Sequence, residues 1–287
     1  MSYAFIGFGE AANAFVKNWS DAAKAVAKGF DVKSSTRSGL TDRYAAAGVT
    51  ECFSAAEAVD GADVIFSLVT ADQAEAAALS AQDSISDGAL FLDCNSCSPF
   101  AKQRNRDLIE RAGGAYVDVA VMAPVIPAYN TVPLSLSGPH AERAANVLTE
   151  LGMNPTVLDG EVGLASSTKM IRSIMVKGME ALTAEFLLAA TKAGVDERVL
   201  ASLEKSLPNF GWAKRGGYNL ERMMEHGIRR AAEMEEVAKT VAELGLPNSM
   251  VAATVEWQRR IGELQLDAGS EDYVELTDKL HQALPKA

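Results

Sequence analysis

The chain has 287 residues, 48% of them apolar and 23% charged, the balance of a folded globular protein rather than a disordered or low-complexity one. No run approaches the roughly 18 uninterrupted apolar residues of a membrane-spanning helix, and residues 1–7 lack the basic region of a secretory leader, so the expectation is a cytoplasmic protein with no membrane partner. The net charge is −11, with 11 Lys and Arg against 20 Asp and Glu up to residue 162. That field argues against a nucleic-acid partner and leaves any phosphate-bearing ligand to a helix N-terminus, backbone amides or a few placed arginines.

In chain order, residues 3–7 read as a buried strand, and an Ala-rich helix begins near Glu10. Apolar runs at 30–34, 62–68, 89–93, 116–121, 133–137 and 155–158 read as further strands, with helical stretches at 72–80 and 98–111 between them. Such alternation means a parallel sheet covered on both faces. From Gly163 onward the pattern is almost wholly helical. Residues 166–193 predict one uninterrupted helix, and 196–206, 220–244, 249–267 and 271–283 predict four more, punctuated by Gly194, Gly216-Gly217, Gly245 and Pro247. The apolar residues Met170, Ile174, Ala181, Leu187 and Leu188 on the long helix predict a homodimer. Met223, Met224 and Met234 read as core, and His281 has no evident partner.

The three cysteines, Cys52, Cys94 and Cys97, make no disulfide framework. Cys94 and Cys97 form a C-x-x-C, but no second pair or nearby His completes a metal site, so they read as reduced thiols.

The strongest local motif is Gly7-Phe8-Gly9-Glu10-Ala11-Ala12, which fits G-x-G-x-x-G/A between a strand and a helix. Gly7 permits the turn, Gly9 lets a pyrophosphate approach the backbone, and Ala12 lets the helix pack on the strand. Amides at the helix start face the phosphates. With the second strand read as ending in Lys33-Ser34-Ser35-Thr36-Arg37-Ser38, no acid stands where an NAD site has one. Ser35, Thr36 and Arg37 suit a 2′-phosphate instead. The expected cofactor is therefore NADPH/NADP⁺ rather than NADH. Val69 and Thr70, past the strand at 62–68, complete the cofactor assignment.

A second constellation opens the long helix. Lys169, Ser173 and Lys177 recur every four residues on one face, amid Met170, Ile171, Ile174, Met175 and Val176. A lysine on a helix face commonly snorkels into water; one held in apolar surroundings beside a like charge is fitted for proton transfer near neutral pH.

With these motifs the chain resembles the β-hydroxyacid dehydrogenases, the group containing 3-hydroxyisobutyrate dehydrogenase and 6-phosphogluconate dehydrogenase. Asp93-Cys94-Asn95-Ser96-Cys97-Ser98-Pro99 looks like that family's D-x-S-[ST]-x-x-P substrate segment, with Asn95 in place of its first Ser. Lys169 falls on the family's catalytic lysine, six residues after Gly163; Ser173 replaces the Asn that follows it, and Glu185 matches a later Glu. The family's D-x-P-V-S-G-G becomes Asp118-Val119-Ala120-Val121-Met122-Ala123-Pro124, which puts Met122 at its substrate contact. A segment containing His226, Arg229 and Arg230 stands where the family often has Lys-Asp, and looks like that of a subgroup whose C-terminal domain is of unknown function.

The resemblance implies an α/β protein: a Rossmann-like parallel-sheet domain over 1–162, joined by a long helix to an all-helical substrate and dimerisation domain over 163–287. It implies hydride transfer between NADP(H) and a small hydroxy acid or related carbonyl compound. Lys169 would be the acid and base, with Ser173 and Lys177 beside it in the catalytic group. Asn95, Ser96 and Met122 would contact substrate, and His226, Arg229 and Arg230 would meet its carboxylate. Two alternatives stay open on the same fold: an imine reductase, which usually has another residue at the lysine position, and a non-catalytic nucleotide sensor.

Overall fold

The computed structural model describes residues 1–34 and 40–285. Its packing divides the chain into two compact units, Met1–Lys169 and Met170–Ala287. In the first, β1 (Tyr3–Ile6) leads through a glycine turn into α1 (Glu10–Val16), and α2 (Asp21–Ala25) into β2 (Ala27–Phe30). The alternation continues with α3 (Leu40–Ala47), β3 (Thr50–Glu51), α4 (Ala55–Val59), β4 (Val64–Ser67), α5 (Ala74–Ala81), β5 (Leu90–Asp93) and α6 (Pro99–Arg111). It ends with β6 (Ala115–Val121), the short α7 (Val125–Ala128), β7 (Pro133–Ser137), α8 (Ala141–Glu150) and β8 (Asn154–Val157), after which α9 (Leu164–Lys192) begins.

The sheet order is β3-β2-β1-β4-β5-β6-β7-β8. The order in which strands are added reverses between the parallel β1 and β4, the switch point where open α/β sheets bind ligands at the carboxyl ends of their strands. Side chains alternate between the faces. Tyr3, Phe5, Phe66 and Leu92 join Phe15 of α1 and Leu148 of α8 in one core layer, while Ala4, Ile6, Ile65 and Phe91 meet α4, α5 and Ile109 of α6 in the other.

Two expectations for this unit are corrected. The sheet is mostly, not wholly, parallel: β7 runs antiparallel to β6, because the short link between them holds no helix long enough for a parallel crossover. The second strand is Ala27–Phe30, not 30–34, since Ala27 pairs with Tyr3 and Phe30 with Ile6. Its end is therefore followed directly by Asp31.

The second unit contains the rest of α9, then α10 (Asp196–Ser206), α11 (Trp212–Glu243), α12 (Ser249–Gly262) and α13 (Tyr273–Ala283). Helix α11 starts eight residues before its expected start at 220 and runs straight through Gly216-Gly217. A Cβ on Gly217 would stand 1.7 Å from the Glu271 carbonyl oxygen. The pair therefore lets the helix pass the 271–273 backbone instead of stopping it. Helix α12 ends at Gly262, short of 267; Gln265 turns out with φ 50°, and Leu264, Leu266 and Ala268 fold into the core.

The apolar positions cited for a dimer are covered within this unit. Ala181, Leu187 and Leu188 pack with Leu220, Met223 and Leu276, and Met170 and Ile174 pack with Met234 and Val237. His281 is partnered, its Nε2 lying 2.9 Å from Thr191 Oγ1. Among the described residues no helix is long and apolar enough to cross a membrane.

Candidate active site

The glycine turn lies at the switch point. Gly7 has φ +87°, and a Cβ on it would fall 2.4 Å from the Leu68 carbonyl oxygen and 2.9 Å from Val69 Cγ1. Only glycine fits there, because β1 and β4 are adjacent and their following loops nearly touch. Gly9 is the N-cap of α1 and supplies no side-chain cap. Nothing lies within 4 Å of the place its Cβ would occupy. The start of α1 thus has no side-chain cap and no atom over Gly9, and uncapped helix amides are groups a phosphate can bind. Phe8 is buried and stacks on Tyr44 at 4.3 Å, Ala12 packs into the sheet core, Ala11 is half-buried and Glu10 is exposed.

Asp31 stands beside this turn. Its Oδ2 accepts the Phe8 N–H at 3.0 Å and its Oδ1 the Lys33 N–H at 2.9 Å. An acid thus stands at the end of the second strand, the position at which NAD sites have one, where the expected strand end had none. The register of β2, masked by the polar Lys28 and small Gly29, hid it. Ser35, Thr36 and Arg37 lie outside the described residues.

Val69 and Thr70 follow β4, and Asn95 and Ser96 follow the neighbouring β5. Asn95, expected to contact substrate, is buried and braces these two loops. Its Oδ1 accepts the Val69 N–H at 2.7 Å and its Nδ2 donates to Ser67 Oγ at 2.9 Å. Ser96 is half-buried, and Lys169, in the second turn of α9, donates to its Oγ at 2.5 Å. Met122, at the end of the adjacent β6, is half-buried.

Behind this pair lies a buried polar network. Asp93 Oδ2 accepts from Tyr116 Oη at 2.7 Å and Asn105 Nδ2 at 3.1 Å; its Oδ1 accepts the Asn95 N–H at 3.0 Å. Asp118 Oδ2 accepts the N–H groups of Gly163 and Ser166 at 3.1 and 3.0 Å, and its Oδ1 accepts from Ser166 Oγ at 2.6 Å. A carboxylate on the first amides of α9 complements the positive end of that helix. Lys102, wholly buried, lies 2.9 Å from Asp93 and 3.5 Å from Asp118. Burial alone would pull its ammonium below the ordinary lysine value; Asp93, with Cys97 and Asp118, more than reverses this and holds it above. Burial, followed by Asp93 and Asp118, pushes the Tyr116 phenol well up, and burial pushes the Cys94 thiol up to about 12. Ser137 Oγ donates to Asp118 Oδ2 at 3.2 Å. Asp93 and Asp118 lie in the family-like segments, whereas no local pattern points to Lys102, Asn105, Tyr116, Ser137 or Ser166, because residues so spaced meet only once the sheet forms.

The other marked residues lie in the second unit. Lys177 is buried, donates to Ser173 Oγ at 3.3 Å and pairs with Glu233 at 2.8 Å. Arg229 is exposed and pairs with the same Glu233 at 3.1 Å. Arg230, expected to meet a substrate carboxylate, is buried with its guanidinium forked on Glu180: its Nε donates to Oε2 at 2.9 Å and its Nη2 to Oε1. Gln258 Nε2 donates to the same Oε2 at 2.8 Å. That charge is committed inside the unit. His226 is half-buried; burial first, then Arg222, Arg229 and Arg230, holds its imidazole below the ordinary value.

The strand order and the switch-point glycine turn define the NAD-binding dehydrogenase fold of the hydroxyacid dehydrogenases. Residues 2–159, more than half of the chain, match the family described as the NAD binding domain of 6-phosphogluconate dehydrogenase, and the chain belongs to that family. Residues 190–261 match a domain of unknown function, as the resemblance to a subgroup implied. A conserved hypothetical protein from Sinorhizobium meliloti 1021 is 36% identical, with 99% of this chain and 97% of that one covered and a TM-score of 0.82. A conserved protein of unknown function, described as structurally similar to 3-hydroxyacid dehydrogenases, is 29% identical, with 93% and 99% covered and a TM-score of 0.74. The 3-hydroxyisobutyrate dehydrogenase of Pseudomonas aeruginosa is 26% identical over 218 residues, 73% of this chain and 71% of that protein. The matched stretches span about two thirds of the length of such curated relatives.

Proposed function

We propose that the protein is a nicotinamide-dependent oxidoreductase that moves a hydride between the cofactor and a small, carboxylate-bearing hydroxy acid or related carbonyl compound. The observation that carries this reading is the 2.5 Å hydrogen bond from Lys169 Nζ to Ser96 Oγ. It pairs a proton-transfer group with a hydroxyl that can orient a substrate oxygen. Residues 1–162 form the dinucleotide-binding domain in this reading, and residues 163–287 serve the substrate and a homodimer.

The residues at the switch point fit a dinucleotide: Gly9 leaves its Cβ space open and the start of α1 uncapped. When bound, the nicotinamide supplies the acceptor or donor of hydride. Lys169 Nζ takes the proton from the substrate hydroxyl as hydride leaves the carbon, and returns it in the reductive direction. Ser96 Oγ orients the substrate oxygen toward Nζ. Asn95 acts behind them, tying the Val69 loop to the Ser96 loop.

For the cofactor, Asp31 changes the reading. A carboxylate beside the phosphate turn takes ribose hydroxyls and repels a 2′-phosphate, which supports NAD(H). Arg37 is the residue through which NADP(H) would bind instead. Titration with NADH and with NADPH, read by energy transfer from tryptophan, tests both points. The expected result is tighter binding of NADH, with Asp31→Asn narrowing the preference by roughly tenfold. Tighter NADPH binding by the parent overturns the Asp31 assignment. Binding of neither overturns the oxidoreductase.

A further inference from the structure

Lysine is almost never wholly buried without a partner, yet Lys102, in the first turn of α6, has no exposed side-chain surface. The proton transfer described above does not use it. Besides the two carboxylates, its ammonium donates to the Asp93 carbonyl oxygen at 2.5 Å. Asp93 and Asp118 are register partners in the parallel β5–β6 pair, so their side chains leave the sheet on the same face, side by side. Without a cation between them, two buried carboxylates side by side would repel each other.

The two acids hold different halves of the candidate site. Asp93 accepts the Asn95 N–H and so shapes the turn that presents Ser96. Asp118 accepts the Gly163 and Ser166 N–H groups and so sets the start of the helix that presents Lys169. Lys102 touches both acids.

Resting on the oxidoreductase reading, we propose that Lys102 is a positioning residue. By bridging Asp93 and Asp118 it holds the Ser96 turn and the N-terminus of α9 in one register, and so keeps Lys169 Nζ on Ser96 Oγ. Removing the ammonium leaves two buried carboxylates side by side without the cation that joins them. The two anchors then move independently, and the Lys169–Ser96 hydrogen bond opens.

The test needs no substrate. Competitive labelling with acetic anhydride across about pH 7 to 11, resolved by peptide mass spectrometry, reads the reactivity and titration midpoint of Lys169 in the folded chain. Lys102→Met, and the charge-balanced Asp93→Asn/Lys102→Met, should each raise Lys169 labelling by roughly fivefold, the weight of one hydrogen bond. Its midpoint should move, while Lys177 labelling stays at the parent's value. The double variant removes one charge of each sign, so it reports on positioning where the single variant fails to fold. Folded variants that label Lys169 at the parent's rate and midpoint overturn the proposal, even if their melting temperature falls, because a merely structural lysine would behave in that way. The outcome is separable from the role of Lys169. Turnover surviving Lys169→Ala would remove the proton-transfer reading and leave the bridge standing.

Discussion

The two glycines of the cofactor turn should fail differently when each is given a single methyl group. At Gly7, φ is +87° and the new Cβ would lie 2.4 Å from the Leu68 carbonyl oxygen. The backbone conformation alone costs an L-residue about 1–2 kcal/mol. The contact is with backbone, which no rotamer change relieves, so Gly7→Ala should lose at least about 2 kcal/mol in all. In a chain of this size that lowers the melting temperature by roughly 4–8 °C. At Gly9, φ is −84° and the Cβ meets nothing within 4 Å. Gly9→Ala should therefore stay within about 0.5 kcal/mol of the parent in stability. Its methyl group would occupy the space through which a pyrophosphate reaches the helix amides. Loss of one hydrogen bond to a charged group, about 1.5–3 kcal/mol, weakens nucleotide binding tenfold or more. Thermal unfolding and nucleotide titration on both variants separate the two effects. Equal destabilisation of the two, or Gly9→Ala binding NADH and NADPH at the parent's affinity, would refute the reasoning.

Three further outcomes follow from the buried charges and thiols. Arg230→Met leaves Glu180 buried without its cation and should cost about 3–5 kcal/mol in denaturant unfolding, most of it recovered in Glu180→Gln/Arg230→Met; an additive double variant would contradict this. Cys94 and Cys97 are buried, and the Cys94 thiol is pushed up to about 12. Both should resist iodoacetamide at about pH 8 in the folded chain and react once it is unfolded; fast labelling of the folded chain would contradict their burial. The folded-state pKa of His226 is depressed, so the unfolded chain binds its proton at higher pH. Stability contributed by the neutral ring is therefore present above about pH 6.5 and lost as pH falls below it. His226→Gln should flatten that slope in denaturation midpoints measured against pH, and an unchanged slope would place its origin elsewhere.

The fold was legible where periodicity and turn chemistry agree. Residues 133–137 and 196–206 fall on β7 and α10 without a shift, because Pro133, and Gly194 two residues before Asp196, mark their starts locally. The glycine turn and Lys169 were legible because each motif is contiguous in sequence. Register was not: Ala27–Phe30 carries one strongly apolar side chain, so the strand was read several residues late and Asp31 was lost with it. Gly216-Gly217 looked like a helix stop because the contact that demands them, the backbone at Glu271, lies far along the chain. The network around Lys102 joins β5, β6, β7, α6 and α9, and no local spacing announces it. Asn95 was marked from the substrate-segment motif and Arg230 from the segment around His226; neither pattern reveals the internal partners that each has in the folded chain.

In the proposed reaction Lys169 moves the substrate proton while hydride passes to or from a nicotinamide. The measurement that tests it most directly is nicotinamide absorbance during incubation with a panel of hydroxy acids and their carbonyl partners, for the parent and for Lys169→Ala, with nucleotide affinity measured on the same samples. The account predicts unchanged nucleotide binding and turnover reduced by about 10²-fold or more in Lys169→Ala. Parent-like turnover by that variant, with the nucleotide bound as tightly, would contradict it.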